Sequence, residues 1–235
     1  MAFRIALTAG HYMRTPGKRC LKSLDPKETR EWWLNDRIAD KVEKLLMGYT
    51  GYELIRTDDT TGKKAIELTA RTNAANNFKA DFYLSIHHNA GINGGKGGGI
   101  VAIRHTRASA ESAEWQKDLY NALIDATGLK GNRATPLQKA NLHEVRETKM
   151  PAVLLELGFM DSATDVPVIL SEKFADQCAA AIVKVIVNRA GLKPKTVEQP
   201  SGKVYRVQVG AFSKKEYAEA MKKKLESAGY DAIIV

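Results

Sequence analysis

The chain has 235 residues, 44% of them hydrophobic and 27% charged, with 36 Lys and Arg against 27 Asp and Glu for a formal charge of +9. That is enough for one sizeable α/β core plus a small appendage. No apolar run reaches membrane-spanning length, and two cysteines are too few for a disulfide scaffold. The basic excess favours an anionic partner such as nucleic acid, acidic lipid or the phosphate-rich polymers of a cell wall. It is scattered along the sequence, however, and fits general solubility as well.

The first seven residues read as a strand that enters the fold at once, not as a signal peptide. The expectation is synthesis in the cytoplasm with no membrane anchor, and any action outside the cell after release through a pore or on lysis. Residues 4–8 form the first strand and lead into Gly10-His11. A helix follows Lys27, with Leu34, Ile38, Val42, Leu45 and Leu46 at helical spacing. Residues 52–56 read as a strand, 64–77 as a helix and 82–86 as a strand. The glycine run from Gly94 to Gly99 is a flexible connection that resembles a phosphate loop only in composition, with no Gly-Lys-Ser/Thr ending. A strand over 99–103, a helix over 110–127, a strand over 152–156 and a helix over 172–190 complete the pattern. Alternation of this kind predicts an α/β fold, a twisted and mostly parallel sheet flanked by helices. Cys178 falls in a helical pattern and Cys20 in a basic loop, and neither has the surroundings of a nucleophile.

Four polar residues stand where the pattern asks for apolar ones. His11, His87 and Glu156 each close a strand, at the sheet edge where α/β proteins gather ligands. Glu31 lies on the face of the first helix that carries Leu34 and Ile38. Two imidazoles and a carboxylate make the ligand set of a catalytic zinc, and a further carboxylate is the base such a site needs. Each residue has a plainer reading: a lone histidine is more often a hydrogen-bonded core residue, and Glu31 is a favourable acid for a first helical turn, with Glu28 as its competitor. His88 is expected to point opposite to His87, and His143 to line the cleft.

In this order the residues resemble the zinc-dependent N-acetylmuramoyl-L-alanine amidases of the amidase-3 type, over roughly residues 3–190. The matching segments are Gly10-His11, then Glu31-Trp32-Trp33-Leu34-Asn35, then Ser85-Ile86-His87-His88-Asn89, and Pro151 to Phe159. The segments beginning at Arg71 and Leu142 also resemble the family. The resemblance implies Zn2+ held by His11, Glu31 and His87, Glu156 as general base, and substrate contacts from His143, Asn89 and Arg71. It implies hydrolysis of the amide between N-acetylmuramic acid and L-alanine in bacterial peptidoglycan, as in a phage endolysin or an autolysin. One departure stands out. The family pattern Asp-Pro-Gly-His-Gly is here Thr8-Ala9-Gly10-His11-Tyr12, which removes a contact behind the ligand and sets Tyr12 at the cleft mouth.

Residues 191–203, with two prolines and two glycines, read as a linker after a catalytic domain of residues 1–190. Residues 204–235 read as strand, basic amphipathic helix and strand. Their opening, from Tyr205 to Ser213, resembles half of a sporulation-related (SPOR) repeat, a module that binds peptidoglycan. A βαβ piece this short needs a partner, so a homodimer through the half-repeat is expected. No RNP-type aromatic motif is present, and nucleic acid is not an expected partner. The competing reading is a non-catalytic peptidoglycan-binding protein that retains the fold.

Overall fold

The computed structural model describes residues 1–196, 207–230 and 232–234. They fall into two units, Met1–Lys195 and Thr196–Val235.

In the first unit the elements run β1 Phe3–Ala9, α1 Glu31–Leu46, β2 Tyr49–Thr50, β3 Tyr52–Arg56, α2 Leu68–Phe78, β4 Phe82–Asn89 and β5 Ile100–His105. They continue through α3 Ala110–Thr127, β6 Leu137–Ala140, α4 His143–Arg146, β7 Ala152–Phe159, α5 Val166–Ile169, α6 Glu172–Ala190 and β8 Lys193–Pro194. Six strands form one sheet in the order β3-β1-β4-β7-β5-β6, while β2 and β8 make a separate antiparallel ribbon. The four strands from β3 to β7 are mutually parallel; β5 runs antiparallel to β7 and parallel to β6. The fold is thus the mixed, mostly parallel α/β sheet that the alternation predicts.

Both sheet faces are covered. On one, α1, α3 and α6 pack Leu34, Ile38, Val42, Trp115, Leu119, Ile182 and Ile186 against Ile5, Leu7, Phe82, Leu84 and Ile86. Trp115 stacks on Phe82 with ring centroids 3.8 Å apart. On the other, Ala75 of α2 and Val145 of α4 meet Ala6, Tyr83, Val101 and Leu154. Alternate residues of β4 therefore serve opposite faces, the period-two rule of a strand.

Capping sets several boundaries. Ser109 and Ser171 accept the backbone N–H of Ser112 and Phe174 at the starts of α3 and α6, whose ends turn at Gly128 and Gly191. The helix expected from residue 64 begins at Leu68 because the Asp59 carboxylate binds the N–H groups of Lys63 and Lys64 in a turn. The glycine run is pinned rather than flexible. Thr164 Oγ1, Asn132 Oδ1 and Asp165 Oδ2 accept from the N–H groups of Gly97, Gly98 and Gly99. Both cysteines are buried, Cys20 in the loop between β1 and α1 and Cys178 in α6. Burial pushes the Cys20 thiol up to about 12 and raises that of Cys178, which leaves both inert.

In the second unit α7 spans Lys215–Ser227 and has no buried residue. The strand expected at 204–209 lies partly outside the described residues, and no strand is assigned over 207–209 or among the described residues of 230–235. Among the described residues no helix is long and apolar enough to cross a membrane.

Candidate metal centre

β1, β4 and β7 end side by side, and α1 begins beside them. His11 follows β1 with a positive φ of 67°, a conformation that costs energy for a residue with a Cβ. Arg71 of α2 secures it. This buried guanidinium donates to the Ala9 carbonyl at 2.7 Å, the His11 carbonyl at 2.9 Å and Thr8 Oγ1 at 2.9 Å. Thr8 stands where the resembled pattern has Asp, and its hydroxyl accepts from Arg71. Arg71, expected to touch substrate, thus has its donors engaged by the backbone that carries His11.

Glu31 opens α1 and is fully buried. Its Oε1 lies 3.3 Å from His11 Nε2 and 3.1 Å from His87 Nδ1, and the two imidazoles meet edge-on with centroids 5.0 Å apart. The three residues place one donor atom each within 4.8 Å of one another, a grouping that could hold a metal ion. Donors about 2.0–2.1 Å from a tetrahedral zinc stand roughly 3.3 Å apart, so the spacing fits such an ion. Glu31 Oε2 is buried with no hydrogen-bond partner among the described residues, although the Lys18 ammonium is 3.5 Å away. A buried carboxylate is costly unless paired with positive charge, which the Lys18 ammonium supplies in part and a bound cation would supplement. Glu28, the competitor, instead pairs with Arg19 at 3.0 Å.

Glu156 lies directly across from His87 in the β4–β7 ladder. One step on, the register shifts between His87 and Asn89, and Gly158 takes a φ of 98°. A bulge of this kind re-aims side chains beside a site. Glu156 Oε2 is also buried without a partner among the described residues.

The charges are tuned by these surroundings. Burial pushes the Glu156 carboxyl up to about 7, near the optimum for proton transfer at neutral pH. Burial also acts upward on Glu31, but hydrogen bonds and charge from His11 and His87 outweigh it and hold this carboxylate well below its usual range. Desolvation lowers His11, which favours the neutral form of the imidazole that a metal requires. On His87 desolvation is outweighed by Glu144 and Glu31, which raise it to about 10; a metal at Nδ1 has to displace a proton there.

His88 points to the opposite face, as expected. Its Nδ1 lies 2.8 Å from Asn35 Oδ1, and Asn35 Nδ2 donates to the Gly10 carbonyl at 3.1 Å. Burial depresses this imidazole to about 3 and keeps it neutral. Asn89 follows His87 on the strand, and its carbonyl accepts from the Met160 N–H. His143 heads α4, where its Nε2 lies 3.3 Å from Thr72 Oγ1. The residue that sequence reasoning passed over is its neighbour Glu144, buried against Tyr83, Ser85 and His87. The available signal was the alternation Tyr83-Ser85-His87, three donors on one face of β4 that require an acceptor.

Known proteins resemble the chain along most of its length. Residues 5–188 match the family described as N-acetylmuramoyl-L-alanine amidase, and residues 187–235 match the SPOR domain. The chain is 31% identical over 209 residues to the sporulation-specific N-acetylmuramoyl-L-alanine amidase of Bacillus subtilis, covering 88% of this chain and 76% of that one. It is 30% identical over 172 residues to the endolysin of Bacillus phage SPP1, covering 70% and 62%. The crystal structure of an N-acetylmuramoyl-L-alanine amidase from Clostridium difficile 630 superposes with a TM-score of 0.72 at 27% identity, over 81% of this chain and 97% of that one. The catalytic domain of CwlV from Bacillus (Paenibacillus) polymyxa gives 0.71 at 26%, over 81% and 99%.

Proposed function

The chain belongs to the N-acetylmuramoyl-L-alanine amidase family, and from that premise we propose that it cleaves the bond between N-acetylmuramic acid and L-alanine with a zinc ion held by His11, Glu31 and His87. The observation that carries this reading is the close grouping of those three donors, with Glu156 beside His87, at the end of the parallel strands. Zinc bound there would lower the pKa of a coordinated water to about 7 and polarise the scissile carbonyl. Glu156 takes the proton of the attacking water and delivers it to the leaving amine. His143 and Asn89 flank the cleft as substrate contacts, while Arg71 fixes the backbone of His11.

Residues 1–190 act as the catalytic domain, 191–203 as a linker and 204–235 as a wall-binding half-repeat. The SPOR match supports the last role. Pairing of two half-repeats into a homodimer is supported by the apolar residues exposed on the second unit, among them Val207, Val209, Phe212, Ile233 and Ile234. Light scattering with and without residues 196–235 tests it: a monomeric mass for both chains rules the dimer out. The protein reaches its substrate from the cytoplasm by release through a pore or on lysis, and similarity to a phage endolysin supports that route.

The hydrolysis itself is tested by digesting purified peptidoglycan and identifying products by mass spectrometry. Stem peptides with a free L-alanine amino group are expected, and their formation should stop with a chelator and return with zinc. Cleavage elsewhere, or release that persists after full metal removal, would overturn the reading.

A further inference from the structure

The second nitrogen of His87 is engaged as fully as the first. Tyr83, Ser85 and His87 lie at alternate positions of β4 and so share a face. Above them sits Glu144 of α4, itself only 4% exposed. Its Oε1 accepts from Tyr83 Oη at 2.7 Å, and its Oε2 lies 3.3 Å from Ser85 Oγ and 3.4 Å from His87 Nε2. An ionised carboxylate can only accept, so the tyrosine and serine hydroxyls donate to it, and the imidazole does so through Nε2–H. Nδ1 faces Glu31 and His11, so with Nε2–H committed to Glu144 it is the nitrogen that gives up its proton when a metal binds.

The geometry points to Glu144 as the positioning residue of the metal centre, a buried carboxylate that fixes the tautomer and tilt of the His87 imidazole through Nε2 and is itself held in place by Tyr83. The inference rests on reading His11, Glu31 and His87 as the metal ligands. A carboxylate behind a ligating imidazole makes it a better donor and orients the ring, and loss of such a partner costs about 10–100-fold in metal affinity. An amide cannot replace it. The three surrounding groups are all donors, whereas a glutamine has one acceptor oxygen and an NH2 that would face a donor.

The test uses the full-length protein, stripped of metal and titrated with Zn2+ against a chromogenic chelator. The wild type should bind one ion, and E144Q about 10–100-fold more weakly with an unchanged circular dichroism spectrum. Long-range 1H–15N spectra of the zinc-loaded proteins give a second readout. The His87 Nε2–H should exchange slowly in the wild type and rapidly in E144Q. Wild-type affinity and an unchanged His87 resonance in E144Q would overturn the role of Glu144 and leave the metal site standing. A wild type that binds no ion would remove the metal site and this inference with it. Should E144Q fail to fold, Y83F decides: it keeps the carboxylate but releases its tether, so weaker binding supports the role and unchanged binding overturns it.

Discussion

Gly10→Ala offers a one-methyl test of the centre. Gly10 has an ordinary backbone conformation, so alanine adds no torsional strain there. A Cβ at this position would instead overlap the His87 ring at Cε1, Nδ1 and Nε2. To restore ordinary contact of about 3.5 Å the ring must retreat by roughly 1.5 Å, whereas metal sites hold their distances to about 0.2 Å. The ring has little room to retreat, because Glu31 and Glu144 engage its two nitrogens. Overpacking of this kind costs about 1–3 kcal/mol of stability. Displacing a ligand should cost more than the ~100-fold that loss of an outer partner does. The assay pairs zinc titration with peptidoglycan hydrolysis and thermal melting. Gly48→Ala is the control, since a Cβ there meets only the Leu45 carbonyl oxygen at 3.4 Å. A Gly10→Ala protein that binds zinc within about threefold of wild type and hydrolyses normally would refute the packing argument.

The base assignment predicts that Glu156→Gln retains zinc while kcat falls by about 10²–10⁴; wild-type turnover in this variant would exclude the role. A general base acts only when ionised, and burial places the Glu156 carboxyl near 7. On a soluble muropeptide kcat/KM should therefore rise with pH and level off above about 7, with a bound cation drawing the limb lower and not higher. Persistence of that limb in Glu156→Gln would assign it to another group. Metal removal should destabilise the first unit. With free zinc a thousandfold above Kd the loaded form gains about 4 kcal/mol, so at ~2–4 °C per kcal/mol chelation should lower Tm by roughly 8–16 °C, and an unchanged Tm would argue against a tight site. Asp161 Oδ2 accepts from the N–H groups of Gly91, Ile92 and Asn93, each at 2.8 Å. Asp161→Ala should cost about 1–3 kcal/mol and open this loop to limited proteolysis; a protease pattern like that of the wild type would show that the loop is held by other contacts.

Much of the α/β frame was legible because its helices carry one apolar stripe and its strands are nearly continuous apolar runs. Both patterns follow from burial and need no tertiary information. The antiparallel course of β5 was not legible: Ile100–Ile103 reads the same in either direction, and only its pairing with β7 fixes which way it runs. The pinned glycine run was missed because its partners, Asn132, Thr164 and Asp165, lie over 30 residues away. At the site, His11, Glu31 and His87 stood out because polar groups interrupt apolar runs. The contacts of Arg71 and Glu144 were not legible, since each reaches a partner more than 50 residues distant. Arg71 was noticed for its surroundings in sequence, yet what it does depends on carbonyls whose direction only the folded backbone fixes.

The central claim is that one metal ion sits among His11, Glu31 and His87. It is tested most directly by anomalous diffraction from zinc-loaded crystals, recorded on both sides of the zinc absorption edge. The account predicts one strong peak within about 2.0–2.2 Å of a nitrogen of each histidine and an oxygen of Glu31. No peak there, or a peak bound by other side chains, would contradict it.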